Sequence, residues 1–244
     1  MGEGTRNLTL EDIRPNCSIV GSPAYRLEDL VEPGMKVADI GCGHGPLQTS
    51  VEALGAEWIG IEPFALDREL IKAPAEKLPF PDDSFDLVIM NSVTEHIPDI
   101  SAAFKEVGRT LKKGGKFIGY AAFMESFHEI SYNHLSHKAL EYYASENQMT
   151  LTRIAPSKAF GIDYHCARMI EPIVRFNSIF SKRIFRPPIR LLIRIQLRIL
   201  SLKWYLKCRI QGGHTHTDAL NQSILYRRVE TLRFSAGFTF VIEK

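Results

Sequence analysis

Cysteine is scarce in this chain of 244 residues, and its placement excludes two kinds of site. No two of the four cysteines form a CxxC pair or a spacing typical of metal ligands; they are Cys17, Cys42, Cys166 and Cys208. The pattern predicts neither a disulfide framework nor a bound metal. It favours a reduced compartment, and we expect the protein in the cytoplasm.

Long apolar runs are also missing. No stretch of about 18 uncharged apolar residues occurs, so the sequence predicts no membrane-spanning helix. Residues 1–15, MGEGTRNLTLEDIRP, are polar and lack the apolar segment of a secretory signal, so we expect no signal peptide. With 45% hydrophobic and 24% charged residues, the composition is typical of a globular protein with one sizeable domain.

Acidic residues are absent from one part of the chain. Between Pro172 and Thr217 there are ten Lys or Arg residues and no Asp or Glu, whereas the remainder has 20 basic and 28 acidic residues. The net charge of +2 therefore conceals two regions of opposite sign. The basic region requires its own explanation.

Short apolar runs alternate with amphipathic segments along most of the chain. The runs typical of buried strands are 36–40, 57–62, 85–90, 116–123, 150–155 and 238–244. The predicted helices are a lead-in within 1–35 and the segments at about 46–55, 98–115 and 137–149. The alternation predicts an α/β protein with a parallel sheet and helices on both of its faces.

A glycine-rich turn follows the first of these strands, in the stretch VADIGCGHGPLQ (37–48). Glycine lets bare backbone N–H groups approach a ligand closely. The spacing Gly41-x-Gly43-x-Gly45 departs from the GxGxxG pattern of dinucleotide sites. No Gly-Lys-Ser/Thr follows, so a nucleoside triphosphate is not expected either.

Two carboxylates accompany this turn. Glu62 closes the next strand, where a carboxylate can accept both hydroxyl groups of a ribose. Asp39 precedes the first glycine by two residues, and a carboxylate there would repel a pyrophosphate but attract an ammonium group. Turn and carboxylates together predict a site for a nucleoside with a positively charged tail.

A series of motifs in a fixed order fills the middle of the chain. It consists of VADIGCGHG, WIGIEP, AEKLPFPDDSFDLVIM, TEHIPD and RTLKKGG. The series resembles the motifs of class I S-adenosylmethionine-dependent methyltransferases, in the branch that methylates quinones, lipids and other small metabolites. The resemblance covers about residues 25–155. It implies a Rossmann-like sheet of about seven strands with a reversed final strand, S-adenosylmethionine as cofactor, and a small acceptor.

The resemblance also implies a set of cofactor-binding residues. They are Asp39, Gly41, Cys42, Gly43 and Gly45 at the methionine moiety, Glu62 at the ribose, Pro63, Ala75 and Glu76 at the adenine, and Asn91 near the methionine end. Pro74 departs from the family pattern, because relatives usually carry there an acid that binds the adenine amine. Adenine contacts must therefore come from Glu76, from backbone or from elsewhere.

The catalytic residues are less defined. Methyl transfer from a sulfonium depends on positioning and on exclusion of water, and a general base is needed only when the acceptor bears a proton. The candidates are His96, Tyr132 and His134, the last two in the segment where this family often builds its acceptor pocket. Each has a structural alternative: His96 could cap the next helix, and the others could be ordinary loop residues.

About 75 residues, 157–232, separate the last two predicted strands. Their centre, 187–210, is expected to start as a helix at Pro187-Pro188, with an arginine stripe and apolar residues over most of the remaining circumference. Three interpretations stay open: a helix in the membrane interface near a lipidic acceptor, a lid packed on the core, or a face for nucleic-acid phosphates. The apolar content favours the first and makes nucleic acid the least expected partner.

The sequence as a whole predicts one methyltransferase domain over 1–244. Its parts are a helical lead-in (1–35), a cofactor-binding core (36–156), a basic helical insertion (157–232) and a final strand (233–244). The expected acceptor is small, lipid-linked or membrane-proximal, and the expected location is cytoplasmic, peripheral at the inner membrane surface. The alternatives are an RNA methyltransferase and a cofactor-binding scaffold without turnover, and a nicotinamide-dependent dehydrogenase is the weakest of them. The sequence does not specify the oligomeric state.

Overall fold

The computed structural model describes residues 13–66, 69–124, 130–157, 178–211, 214–233 and 235–244. The chain divides into two compact units, Cys17–Gly161 with Ser235–Lys244 and Met1–Asn16 with Ile162–Phe234. We call the first the core unit and the second the helical unit.

A seven-stranded sheet forms the centre of the core unit. Its strands are β1 (Ser18–Ile19), β2 (Lys36–Ile40), β3 (Glu57–Ile61), β4 (Phe85–Asn91), β5 (Leu111–Ala122), β6 (Thr150–Pro156) and β7 (Gly237–Glu243). The spatial order is β1-β6-β7-β5-β4-β2-β3, and β7 is antiparallel to both of its neighbours while the other pairs are parallel. The Rossmann-like sheet with a reversed final strand is therefore confirmed.

Three helices of the described residues flank this sheet. They are α1 (Gln48–Ala53), α2 (Ile100–Thr110) and α3 (His137–Glu146). Asp99 caps α2 by accepting a hydrogen bond of 3.0 Å from the Ala102 N–H, and Ser136 caps α3 in the same way through the Ala139 N–H. The suggestion that His96 caps the helix was therefore wrong, because Asp99 fills that position.

The buried strands carry the core. Val37, Val88 and Phe117 on β2, β4 and β5 have no exposed side-chain surface, as expected for parallel strands covered on both faces. Aromatic rings extend this packing: Phe117 lies edge-on to both Phe104 and Phe240, with ring centroids 5.4 and 5.1 Å apart. The sheet is therefore a rigid base for the loops at its carboxyl edge.

Two predicted helix boundaries are corrected by the structure. The helix expected over 98–115 ends at Thr110, because Leu111 is fully buried and pairs with Phe85 as β5 begins. Within 13–35, the lead-in expected to be helical contains the edge strand β1 and a short 3-10 helix, Leu27–Asp29; Ile13 is helical, and residues 1–12 lie outside the described residues. Pairing of β1 with Arg153–Ile154 of β6 favours the extended form there.

The helical unit contains α4 (Ser178–Gln211) and α5 (His216–Arg233). The rings of Trp204 and Tyr226 stack at 4.6 Å between centroids, and the hydroxyl of Ser201 donates to the Ser223 carbonyl at 3.0 Å. The expectation that the helix starts at Pro187-Pro188 was wrong, since α4 begins at Ser178 and runs through both prolines. Each proline removes its own N–H donor and places its ring against the carbonyl four residues earlier, so the two prolines weaken the helix at this point without ending it.

None of the helices in the described ranges is long and apolar enough to cross a membrane. The helix α4 has 34 residues, but basic side chains interrupt its apolar positions throughout.

Candidate cofactor site

The glycine turn joins β2 to α1 at the carboxyl edge of the sheet, where ligands of parallel α/β sheets bind. Gly41, Gly43 and Gly45 have φ angles of +68°, +56° and +70°, which other residues adopt only with strain. The Gly41 N–H donates to the Ile61 carbonyl at 2.7 Å, so the turn is fixed against the end of β3.

The three glycines differ in what surrounds them. A Cβ at Gly41 would lie 2.6 Å from the Val93 side chain, and one at Gly45 would lie 2.9 Å from the Trp58 ring. These two glycines are therefore needed for packing. A Cβ at Gly43 would meet no protein atom within 4 Å, so the turn is open at this position.

Glu62 lies opposite the open glycine. Its Oε2 accepts a hydrogen bond of 3.1 Å from the Gly43 N–H, and its Oε1 accepts one of 3.2 Å from the Phe64 N–H. A carboxylate has about four acceptor positions, so these two bonds orient the group and leave capacity for two further donors. Vicinal ribose hydroxyls supply donors of that kind.

Asp39 lies beneath the turn and is only 3% exposed. The indole N–H of Trp58 donates to its Oδ2 at 3.2 Å. Burial raises the pKa of Asp39 to about 6, and the bond from Trp58 acts in the opposite direction. Asp39 does not line the pocket described next, so any influence on a ligand there passes through the turn.

A pocket of about 600 Å³ opens at this edge of the core unit. Its lining residues are Ile40, Gly41, Glu62, Pro63, Phe64, Pro74, Ala75, Glu76, Ser92, Val93, His96, Ile97, Pro98, Ile130 and Tyr132. The volume is in the range of small-molecule sites. Of the residues expected at the cofactor, the structure thus brings together Gly41, Glu62, Pro63, Ala75 and Glu76 in one cavity.

The segment of the pocket around Ala75 and Glu76 is held by two residues of α2. Glu106 accepts the Leu78 N–H at 2.7 Å, and the Arg109 guanidinium donates to the Phe80 carbonyl at 2.7 Å. Arg109 also pairs with Glu106 at 2.8 Å. These contacts fix the segment that carries Ala75 and Glu76. In the sequence, these contacts were indicated by Arg109, the arginine of the RTLKKGG motif.

His96 and Tyr132 lie on the same pocket wall. The Tyr132 N–H donates to the Glu95 carbonyl at 2.7 Å, which ties the two loops together. The His96 Nδ1 lies 2.7 Å from the Ile130 carbonyl, and because a carbonyl only accepts, Nδ1 carries the proton. In the neutral ring Nε2 is then the basic nitrogen.

Other candidates lie outside the pocket. The Nδ1 of His134 is 3.1 Å from the Phe123 carbonyl, and Asn91 is exposed at the end of β4; neither lines the cavity. Cys42 is buried. Its burial and, to a smaller extent, the negative charges of Asp39 and Glu62 raise the pKa of its thiol to about 11. Its thiol therefore stays protonated and is not a nucleophile.

The apolar wall of the pocket was missed by the sequence reasoning. Phe64, Val93, Ile97 and Ile130 line it beside His96. Val93 had one indirect signal, since it lies two residues after the end of β4, and its side chain packs on Gly41. Ile130 had none, because a loop residue far along the chain shows no pattern.

Comparison with known proteins agrees with this geometry. Residues 38–119 match the family model described as a methyltransferase domain. Over 116 residues the chain is 35% identical to sterol 24-C-methyltransferase ERG6B of Gibberella zeae, covering 41% of this chain and 30% of that protein. Over 107 residues it is 34% identical to cycloartenol-C-24-methyltransferase of Arabidopsis thaliana, covering 37% and 32%. The chain thus spans about a third of the length of these relatives.

The fold is also found among solved structures. The 4+2 cyclase SpnF is 13% identical, with a TM-score of 0.51, and the match covers 89% of this chain and 78% of that one. This likeness shows the fold alone, and its cyclase name illustrates that a fold does not determine a reaction. The family-model match over residues 38–119 agrees with the motifs and with the fold, and this part of the chain is thus similar to a methyltransferase domain.

Proposed function

We propose that this protein transfers a methyl group from S-adenosylmethionine to a small, lipid-like acceptor bound in the pocket of the core unit. One observation carries the proposal: the oriented carboxylate of Glu62 and an apolar wall beside His96 line the same cavity. A polar nucleoside and an apolar acceptor are the two reactants that such a cavity fits.

The cofactor fits the polar residues. Glu62 would accept the ribose hydroxyls, and the open position at Gly43 leaves room for the methionine chain to pass the turn. Pro63, Ala75 and Glu76 would hold the adenine. With Pro74 in place of the usual acid, Glu76 is the lining carboxylate left to bind the adenine amine.

The acceptor fits the apolar residues. Phe64, Val93, Ile97 and Ile130 offer no charge and no strong hydrogen-bond donor from their side chains. Two of the relatives are methyltransferases of sterols or of cycloartenol by name, and a flat, largely apolar acceptor of that class suits this wall. We therefore propose a sterol-like or similar lipidic acceptor rather than a charged metabolite.

The reaction asks little acid–base chemistry of the protein. The cofactor would supply a methyl group on a positively charged sulfur, and this sulfur needs no prior activation as a leaving group. The core unit then has to align the acceptor with that methyl group and exclude water. His96, whose ring is oriented by the Ile130 carbonyl, would take up a proton at Nε2 when the acceptor must lose one.

Transfer of a labelled methyl group tests this proposal. The full chain would be incubated with S-adenosylmethionine labelled at the methyl group and, in separate reactions, with a sterol mixture, a total lipid extract, an aqueous metabolite extract and total RNA. We expect label in the sterol or lipid fraction and none in RNA. Label only in RNA or in the aqueous extract would refute the lipidic acceptor, and no label in any fraction would refute the proposed activity.

A further inference from the structure

The long helix α4 has two apolar faces. On one of them, Leu192 and a row of six further large side chains are 43% to 79% exposed; the six are Leu191, Ile195, Ile199, Leu202, Leu206 and Ile210. They follow one another at intervals of three or four residues, so on a helix of 3.6 residues per turn they lie within an arc of about 100°. We call these six side chains the exposed row.

The opposite face of α4 makes the contacts with α5. Ser201 hydrogen-bonds to Ser223, and Trp204 stacks on Tyr226. Packing within the helical unit therefore uses a different face. Within the described residues, the exposed row is apolar surface that faces solvent.

Basic side chains border the exposed row on both sides. Arg194 and Arg198 follow one edge, Lys203 and Lys207 follow the other, and Arg209 falls within the arc near the end of α4; all five are exposed. No Asp or Glu occurs anywhere in α4. An apolar strip between two lines of positive charge is the arrangement of a helix that lies in the plane of a membrane interface.

We propose that the exposed row and its basic borders form a docking surface for an anionic lipid membrane. The leucine and isoleucine side chains would enter the upper acyl region while the arginines and the lysines contact lipid phosphates. A second copy of the chain fits this face less well, since two acid-free basic borders would repel each other. A nucleic acid would meet the basic groups but leave the apolar row in water.

The surface does not depend on the proposed methyl transfer. Docking would bring the protein to the bilayer from which a lipidic acceptor could be drawn, yet it can be measured without cofactor or acceptor. Failure of one proposal is therefore distinguishable from failure of the other.

Vesicle flotation with the full chain tests the docking surface. We expect the protein to float with vesicles of phosphatidylglycerol and phosphatidylcholine at low salt, and to bind pure phosphatidylcholine vesicles at least about tenfold more weakly, because anionic lipid attracts the basic borders. The double variant Ile195→Gln/Leu202→Gln should lose at least about tenfold in partitioning onto the anionic vesicles, because it removes two buried contacts with acyl chains.

A matched double variant serves as control. Leu66 and Leu220 are also exposed, at 99% and 44%, but lie outside the row, so Leu66→Gln/Leu220→Gln should float like the unmodified protein. Circular dichroism checks that all three proteins are folded. If the unmodified chain does not float, or if both double variants lose binding equally, the docking surface is refuted.

Two further outcomes would assign the face to another partner and refute the proposal. The first is binding to single-stranded RNA that is tighter than binding to anionic vesicles and is unchanged in Ile195→Gln/Leu202→Gln. The second is a stable dimer in sedimentation that dissociates in the same variant. We expect weak RNA binding and no dissociation caused by this variant.

Discussion

The backbone N–H of Gly43 donates a hydrogen bond of 3.1 Å to Oε2 of Glu62, 19 residues further along the chain. This bond joins the turn after β2 to the end of β3 at the carboxyl edge of the sheet. Because Phe64 holds the other carboxylate oxygen, the group is oriented without any ligand. The proposed ribose anchor is therefore preorganised, which reduces the entropy lost on binding.

Replacement of Glu62 by Gln should weaken binding of S-adenosylhomocysteine by about 10- to 100-fold, the worth of hydrogen bonds to a charged group. Isothermal titration calorimetry measures the change, with Glu57→Gln at the exposed start of the same strand as the control. An analogue without the two ribose hydroxyls separates ribose contact from loop distortion. Glu62→Gln and the unmodified protein should bind this analogue with equal affinity. Equal losses of affinity for both ligands in Glu62→Gln would contradict the ribose assignment.

Addition of a methyl group at Gly43 should reduce cofactor affinity by at least about tenfold. The Gly43→Ala side chain would enter the open space at the turn, and the positive φ adds about 1 kcal/mol of backbone strain. Gly34→Ala is matched, because Gly34 has a φ of +83° and an equally open Cβ position. Calorimetric titration and thermal unfolding of both variants should show similar stability losses but a binding loss only in Gly43→Ala; equal binding in the two would contradict a ligand at Gly43.

Removal of the His96 imidazole should lower kcat about 100-fold or more for an acceptor that must lose a proton, while leaving S-adenosylhomocysteine affinity within about twofold. The comparison is His96→Gln against His134→Gln. Both histidines place Nδ1 near a backbone carbonyl, but only His96 lines the pocket. Rates of labelled methyl transfer that fall equally in the two variants would contradict a role for His96 at the acceptor.

The buried carboxyl of Asp39 should make stability depend on pH. Burial raises the pKa of Asp39 to about 6 from an ordinary value of 3.8, so the folded protein holds this proton more tightly than the unfolded chain does. The contribution to the free energy of unfolding is therefore complete below about pH 4 and is lost as pH rises to about 6. The loss amounts to about 3 kcal/mol at most, given 1.36 kcal/mol per tenfold change in acidity.

Urea unfolding between pH 4 and 8 measures this dependence. Asp39→Asn should remove the decline, so its stability relative to the unmodified protein rises across this range. Asp86→Asn is the control and should leave the decline between pH 4 and 8 unchanged, because a lowered pKa moves the effect of Asp86 on stability below this range. Burial acts to raise the pKa of Asp86, but the bonds from Lys112 and from the Lys36 N–H outweigh it and lower the pKa. An identical pH dependence in the unmodified protein and Asp39→Asn would contradict the buried, protonated carboxyl.

The sheet was predictable because its strands are nearly continuous apolar runs. The predicted limits of β2 agree with the structure, and those of β3 and β6 lie within one residue. The end of α2 was not predictable from the glycine pair, because Leu111 is drawn into the sheet by its pairing with Phe85, a long-range contact with no local signal. The start of α4 was missed because two prolines interrupt a pattern that continues on both sides.

The polar part of the site was predictable and the apolar part was not. Glu62, Ala75 and Glu76 stand in motifs with fixed spacing and do line one pocket. The importance of the loop at Ile130 depends on backbone hydrogen bonds to Glu95 and on the bond to His96, which no periodicity reveals. Likewise, the sequence placed apolar residues around most of α4, but only packing on α5 separates an inner face from the exposed row.

The central claim is that the pocket beside Glu62 binds S-adenosylmethionine. Its most direct test is calorimetric titration of the full chain with S-adenosylhomocysteine, the demethylated product of that cofactor. We predict saturable binding of one ligand per chain, weakened at least about tenfold in Glu62→Gln. Absence of heat with S-adenosylhomocysteine, together with saturable binding of NAD, would contradict the account.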